Sequence, residues 1–333
     1  MAGYLQQGPD FMRFLRRGTA IVLLSVIGLW LGNTSVFTAV PEGQGLRLLA
    51  HRGVHQVYAG TDRSRDSCQA RPILLPEHGF IENTLPSMRE AFRLGAEVVE
   101  LDLHLTADGR FAVFHDWTLD CRTDGQGVTR HQTMAYLKVL DAGYGYSADG
   151  KSYPLRGTGA GLIPELSEVF EAQLGGQYLI NFKSRDAGDG RRLAELLANP
   201  AYRAQVFGVY GGTEPVRAAL QAMPGLRGYD KPALKACARA YVLTGWSGFV
   251  PAACRNRILA VPVDFALWLW GWPHRFMARM QAAGSEVILM GPYDGSGFSS
   301  GIDDAAALEE IPAGVSGLVW TNRIEQIAPD VGP

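Results

Sequence analysis

From residue 98 to 105 the chain alternates with period two, V-V-E-L-D-L-H-L, so Glu100, Asp102 and His104 share one face while Val99, Leu101, Leu103 and Leu105 share the other. A strand buried on both faces is predicted, since one side is wholly apolar and the other carries two regularly spaced acids. Asp108-Gly109 turns the chain, and 111–116 predicts a second strand ending in His115-Asp116. Short apolar runs at 46–50, 178–183, 206–210, 226–229, 258–263, 286–290 and 317–321 predict further strands. Helical spacing recurs at 86–94, 134–140, 164–174, 215–222, 232–240, 273–283 and 303–311. Strand and helix alternate without a break in composition, which predicts one α/β domain. The nine candidate strands are one more than a closed (β/α)8 barrel needs, and the weakest, 226–229, is expected to lie outside it. Only about a dozen residues separate Asp102 from His115, the bare minimum for a return to a parallel neighbour, with no room for a helix.

The N-terminus follows a different pattern. Arg13, Arg16 and Arg17 precede residues 18–40, which carry no charge and are long enough for a bilayer crossing of about 20 residues. The basic flank predicts residues 1–17 in the cytoplasm, a transmembrane anchor over 18–40, and a barrel over 41–333 on the far side of the membrane. A cleaved signal sequence is the alternative. It is disfavoured because Phe37 would occupy the minus-three position for a cut after Ala39.

Composition narrows the function classes. With 47% hydrophobic and 19% charged residues, the 333-residue chain is that of a folded protein, and a net charge of −2 without a basic block argues against nucleic acid as a partner. The four cysteines contain no C-x-x-C pair, so disulfides outside the cytoplasm are expected rather than a zinc site.

Candidate chemistry collects at strand ends. His51, Arg52, Glu100, Asp102, His115, Asn181 and Lys183 end four different predicted strands, and in a (β/α)8 barrel such positions converge on one face. Carboxylates two residues apart suit a hard divalent cation, and histidines near neutral pKa suit general acid and base work. Glu82 precedes a predicted helix, where an acid is either a helix-dipole partner or a support for Arg52 or the cation.

The motifs H-R-G at 51–53, E-N-T at 82–84, E-L-D at 100–102 and L-T-A-D-G-R-F-A-V-F-H-D at 105–116 resemble the glycerophosphodiester phosphodiesterase family. T-L-D-C-R-T-D-G-Q-G at 118–127, I-P-E-L-S-E-V-F at 163–170, N-F-K at 181–183 and L-V-W-T-N-R at 318–323 extend the resemblance to the end of the chain. It implies a (β/α)8 TIM barrel that hydrolyses a glycerophosphodiester to sn-glycerol 3-phosphate and an alcohol with a bound divalent cation, Mg2+ or Ca2+. By the same resemblance His51 and His115 are the acid/base pair, Arg52 and Lys183 bind the substrate phosphate, and Glu100, Asp102 and position 181 hold the metal.

The chain departs from the family pattern at Asn181, where a third carboxylate is usual. That substitution keeps a catalytically silent phosphodiester-binding barrel as an alternative, and the loops over 54–80 and 141–163, long enough to cover the site, keep a phospholipase D-like enzyme on lysophospholipids as another. Cys68 and Cys121 follow strands on the same barrel face and are expected to pair, which leaves Cys237 with Cys254. Trp268, Trp270 and Trp272 could line a lipid-facing mouth or stack on substrate but are expected mainly in the core, and Asp294 follows a strand end near the site.

Overall fold

The structure, a computed structural model, describes residues 9–36, 45–60, 67–293, 295 and 300–331, with side chains from residue 13 onward. Its sheet consists of β1 (Leu46–His51), β2 (Ala96–Leu105), β3 (Phe111–Val113), β4 (Gln177–Phe182), β5 (Val206–Gly211), β6 (Gly228–Asp230), β7 (Ile258–Pro262), β8 (Glu286–Met290) and β9 (Gly317–Thr321). Eight of these run parallel in the order β6-β5-β4-β2-β1-β9-β8-β7, and β6 and β7 meet where the barrel closes.

The supernumerary strand is β3, not the 226–229 segment. β3 pairs antiparallel with β2, with Leu103 opposite Val113 and Leu105 opposite Phe111. The short connection explains this: Thr106 Oγ1 accepts from the Arg110 N–H within a tight turn, and a hairpin needs no crossover helix. The weak strand belongs to the barrel as β6, shifted to Gly228–Asp230. It is short because Asp230 also caps the helix Lys231–Thr244, its side chain accepting from the Ala233 N–H.

Inside the barrel, Leu49, Val98, Leu179, Ile258, Ile288 and Trp320 fill the lower layers. β2 follows the expected alternation: Leu101 and Leu103 face the surrounding helices while Val98 faces inward. Above Val98 on the inward face come Glu100 and Asp102, neither with any exposed surface. Residues from 68 to 81 and from 112 to 163 build a side lobe with its own core, including Ala70, Ile73, Phe114, Leu119 and Tyr146. The expected Cys68–Cys121 disulfide pins this lobe, and Cys237 pairs with Cys254.

Preceding the barrel is the helix Pro9–Asn33, which starts earlier and ends earlier than the predicted 18–40 span. Its uncovered stretch Arg13–Asn33 has a mean hydropathy of 1.6 in its most apolar window. The arginines extend the helix because they are good helix formers with long stems, and Asn33 ends it by donating back to the Leu29 carbonyl. Residues 37–40 lie outside the described residues, as does Asp294. The tryptophan run is only partly core: Trp270 and Trp272 pack against it, whereas Trp268 is 75% exposed.

Candidate active site

At the C-terminal end of the barrel, β1 releases the chain through a sharp bend in which Arg52 adopts φ 58° and Gly53 φ 79°. A left-handed arginine is strained, and the surroundings fix it. Its backbone N–H donates to Glu100 Oε2 at 3.2 Å, and its guanidinium donates to Glu82 Oε1 at 3.1 Å and Gln69 Oε1 at 3.0 Å. Its Nε lies 3.1 Å from Asp102 Oδ2, an ion pair without hydrogen-bonding alignment. Gly53 is required here because a Cβ would stand 2.3 Å from Ser87 Oγ.

His51, Arg52, Glu82, His115, Asn181 and Lys183 all line one cavity of about 430 Å3. Glu100 and Asp102 lie fully buried and are bonded to that lining, so all eight residues singled out in the sequence come together. His51 comes from β1, Glu100 and Asp102 from β2, and Asn181 from β4. The antiparallel β3 returns the chain to the level of Asp102, whose carbonyl accepts from the Phe114 N–H at 3.0 Å; His115 follows directly.

The two acids are held differently. Asp102 Oδ1 accepts from Asn181 Nδ2 at 2.9 Å and lies 3.4 Å from Lys183 Nζ, while Oδ2 accepts from Asn83 Nδ2 at 3.0 Å. Burial opposes its charge, but Lys183 and Arg52 outweigh this and hold its pKa well below the usual carboxylate range. Glu100 accepts from the Tyr210 hydroxyl at 2.6 Å and the Arg52 backbone, with His51 Nε2 3.7 Å away. Burial and the neighbouring charge of Asp102 push its pKa up to about 8. Glu100 is thus short of compensating positive charge.

These residues fit a hard cation through that deficit and through a donor set of carboxylate and amide oxygens. The fit is not a dense acidic one: among the described residues no group of three histidines, cysteines or acids is placed to hold an ion. Asn181 turns its amide nitrogen toward Asp102, and a Cβ on Gly211 would stand 2.4 Å from Asn181 Oδ1. That leaves Glu100 and Asp102 as the charged donors.

Both histidines are oriented through Nδ1. His51 Nδ1 donates to Asn322 Oδ1 at 2.6 Å, and Asn322 cannot turn over because its Nδ2 donates to Asp303 at 2.9 Å. His115 Nδ1 donates to Asp116 Oδ1 at 2.7 Å. Asp116 in turn accepts twice from Arg122, which also pairs with Glu82 Oε2 at 3.0 Å and donates to the Tyr146 hydroxyl. Each imidazole therefore carries its proton on Nδ1 and keeps Nε2 as the free base.

Burial, followed by the Arg52 charge, lowers the His51 pKa well below the usual 6.5 and brings His115 to about 4. Burial likewise lowers His55, and lowers His104 to about 3. The unfolded chain takes up these protons first, so stability is fully present above pH 6.5 and is lost as pH falls toward 4. Glu100, raised from 4.5 to about 8, acts in the opposite sense between those values, but it is one group against four. The urea midpoint should therefore fall between pH 6.5 and 4.5. A midpoint that rises or stays level on acidification would show that these imidazoles are charged in the folded chain.

Several supporting residues escaped the sequence reading. Asn83, Arg122 and Asn322 lie inside the E-N-T, T-L-D-C-R and T-N-R blocks; Asn83 reads there as a candidate helix cap, whereas Thr84 caps the helix and Asn83 bonds Asp102. Tyr210 was visible only as the last residue of a strand. Gln69 and Asp303 gave no signal, because loops whose course the pattern does not set deliver them.

Residues 51–201 match the sequence profile of the glycerophosphoryl diester phosphodiesterase family. A glycerophosphodiester phosphodiesterase from Caldanaerobacter subterraneus subsp. tengcongensis is 38% identical over 104 residues, 31% of this chain and 39% of that protein. Glycerophosphodiester phosphodiesterase 1 of Rattus norvegicus is 48% identical over 105 residues, 32% of this chain and 28% of that protein. The aligned segments thus span well under half of these relatives. The fold match is wider: the crystal structure of a glycerophosphodiester phosphodiesterase from Agrobacterium tumefaciens str. C58 gives a TM-score of 0.55 at 21% identity, covering 85% of this chain and 99% of that one. The family match thus rests on residues 51–201, somewhat under half of this chain, while the fold match extends over most of it.

Proposed function

We propose that the chain is a cation-dependent phosphodiesterase that hydrolyses glycerophosphodiesters to sn-glycerol 3-phosphate and an alcohol, anchored by its N-terminal helix with the barrel outside the cytoplasm. The observation that carries this reading is the convergence of His51, His115, Arg52 and Lys183 on one cavity above the buried Glu100 and Asp102. The names of the curated relatives support the substrate class. An uncovered apolar helix and two disulfides support the location.

A diester carries one negative charge, and Arg52 and Lys183 supply positive charge at the cavity wall to bind it. Arg52 lines the cavity, so its guanidinium lies beside the space a phosphate would occupy. One imidazole Nε2 takes the proton of the attacking oxygen, and the other, protonated, gives a proton to the leaving alcohol oxygen as the P–O bond breaks. The diester's negative charge beside the imidazoles favours the protonated form of one of them. Glu100 and Asp102, with Asn181 as a neutral neighbour, would hold Mg2+ or Ca2+, and such a cation would supply further positive charge to polarise the phosphate.

Replacing Asn181 with glutamate should tighten the cation and lower the metal concentration for half-maximal activity, because a third carboxylate adds charge to a hard-ligand site. Turnover need not rise, since that charge also repels the phosphate. A metal titration of both proteins decides it, and an unchanged or weaker metal requirement in N181E would remove position 181 from the metal site. Metal binding should also weaken as pH drops below about 8, where protons compete for Glu100. Calorimetry at two pH values checks this, and a pH-independent affinity would argue against Glu100 as a ligand.

Substrate comparison tests the reading as a whole. Glycerol 3-phosphate released from glycerophosphocholine in preference to attack on lysophosphatidylcholine is the expected result. The reverse preference would assign the lysophospholipid activity instead, and inactivity on both with metal present would leave a binding barrel.

A further inference from the structure

We propose that one wall of the barrel, formed by the helix Lys231–Thr244, the turn Gly245–Ser247 and residues 265–272, rests on the phospholipid surface that the N-terminal helix enters. This rests on the anchored reading given above and adds the face by which the catalytic barrel meets the lipid.

The end of the N-terminal helix is tied to this wall by hydrogen bonds. Asn33 Nδ2 donates to the Trp246 carbonyl at 2.8 Å, Arg279 donates to Asn33 Oδ1 at 3.2 Å and to the Gly32 carbonyl at 3.0 Å, and Ser35 Oγ donates to the Gly271 carbonyl at 3.1 Å. Arg275 Nε adds a bond to the Thr34 carbonyl at 2.6 Å. Whatever solvates the apolar helix therefore begins within a side chain's reach of Trp246. Arg279 also holds the Gly245 and Trp270 carbonyls, and Trp270 Nε1 donates to the Val242 carbonyl, so the two wall segments lie side by side.

Beside this junction the wall is unusually apolar for an exposed surface. Leu243 is 73% exposed and Leu267 79%, with Trp268 equally open and Trp246 and Phe249 about half exposed. Residues 241–249 carry no charge, and 265–272 carry none. Clustered exposed leucine, tryptophan and phenylalanine mark a contact surface, and tryptophan is suited to the boundary between headgroups and acyl chains. On the helix Lys231–Thr244 the exposed Lys231, Lys235 and Arg239 repeat every fourth residue and no acid interrupts them. Apolar side chains next to a basic stripe match lipid chains next to headgroup phosphates. The wall reaches the rim of the barrel through Phe265, whose ring meets Tyr293 at 5.7 Å just beyond the ends of β7 and β8.

Full-length protein in vesicles of phosphatidylcholine and phosphatidylglycerol tests this, with an environment-sensitive fluorophore on Leu243→Cys, Trp268→Cys or Arg89→Cys. Arg89 is exposed on the helix Leu85–Arg93, between β1 and β2 and so across the barrel from β6 and β7. The labelled chains should keep the wild-type rate on a soluble glycerophosphodiester, which checks their folding. A nitroxide carried on shallow lipid positions should remove at least half of the emission at 243 and 268 and little at 89. Quenching at 243 and 268 no greater than at 89, in protein that floats with the vesicles, would overturn the inference while leaving the anchor intact. Protein that fails to float with vesicles would overturn both. Energy transfer between labels on two chains, without lipid quenching, would assign the wall to a second copy instead.

Discussion

Alanine at His115 is expected to lower turnover by about 100-fold or more while the thermal melt stays close to that of the parent, as for loss of a general acid or base. The imidazole is buried, and its ring donates to Asp116, which Arg122 continues to hold with two bonds after the change. The fold therefore loses one hydrogen bond and some volume, whereas the chemistry loses a proton carrier. His51→Ala should behave alike, since Asn322 remains fixed by Asp303 without the ring. Steady-state rates on glycerophosphocholine check both variants, and near-normal turnover in either would remove that histidine from the mechanism.

Methionine at Arg122 should act on the fold first. This guanidinium is 1% exposed and neutralises both Asp116 and Glu82. Burial opposes its charge, yet Asp116 and Glu82 more than compensate and raise its pKa well above the usual value. Removing it leaves two buried carboxylates with one guanidinium, Arg52, between them, on Glu82 alone. Breaking a buried pair in this way costs about 3–5 kcal/mol, which would show as a large fall in the urea midpoint. The activity that survives should be low even where the protein is folded, because Asp116 loses the two bonds that aim it at His115. A variant as stable as the parent would mean that solvent or a rearranged cation reaches Asp116 and Glu82.

Period-two alternation made β2 and its inward acids legible, since the spacing of Glu100 and Asp102 depends only on strand geometry. The order of the barrel was legible for the same reason, with one error that has a clear source. An apolar run at 111–116 has the same appearance whether it returns parallel or antiparallel, and the brevity of the connection, already visible, favoured the hairpin. The 226–229 segment looked weak because a three-residue strand leaves little periodicity to read. The residues brought together at the cavity, Glu82 apart, were legible because they stand at or next to strand ends. Their supports were not: Asn322 and Asp303 act on His51 from 271 and 252 positions away, and only closure of the barrel brings β9 beside β1. Trp268 was misjudged as core because aromatic content alone does not say which side of a segment faces the barrel.

The most direct test is the initial rate of sn-glycerol 3-phosphate release from glycerophosphocholine by the full chain, measured after chelation and again after Mg2+ or Ca2+ is restored, alongside Glu100→Gln. The expected result is release that vanishes on chelation, returns with the cation, and is largely lost in the glutamine variant at any metal concentration. Release that persists through chelation, or a glutamine variant as active as the parent, would contradict a cation held by Glu100 and Asp102 at this site.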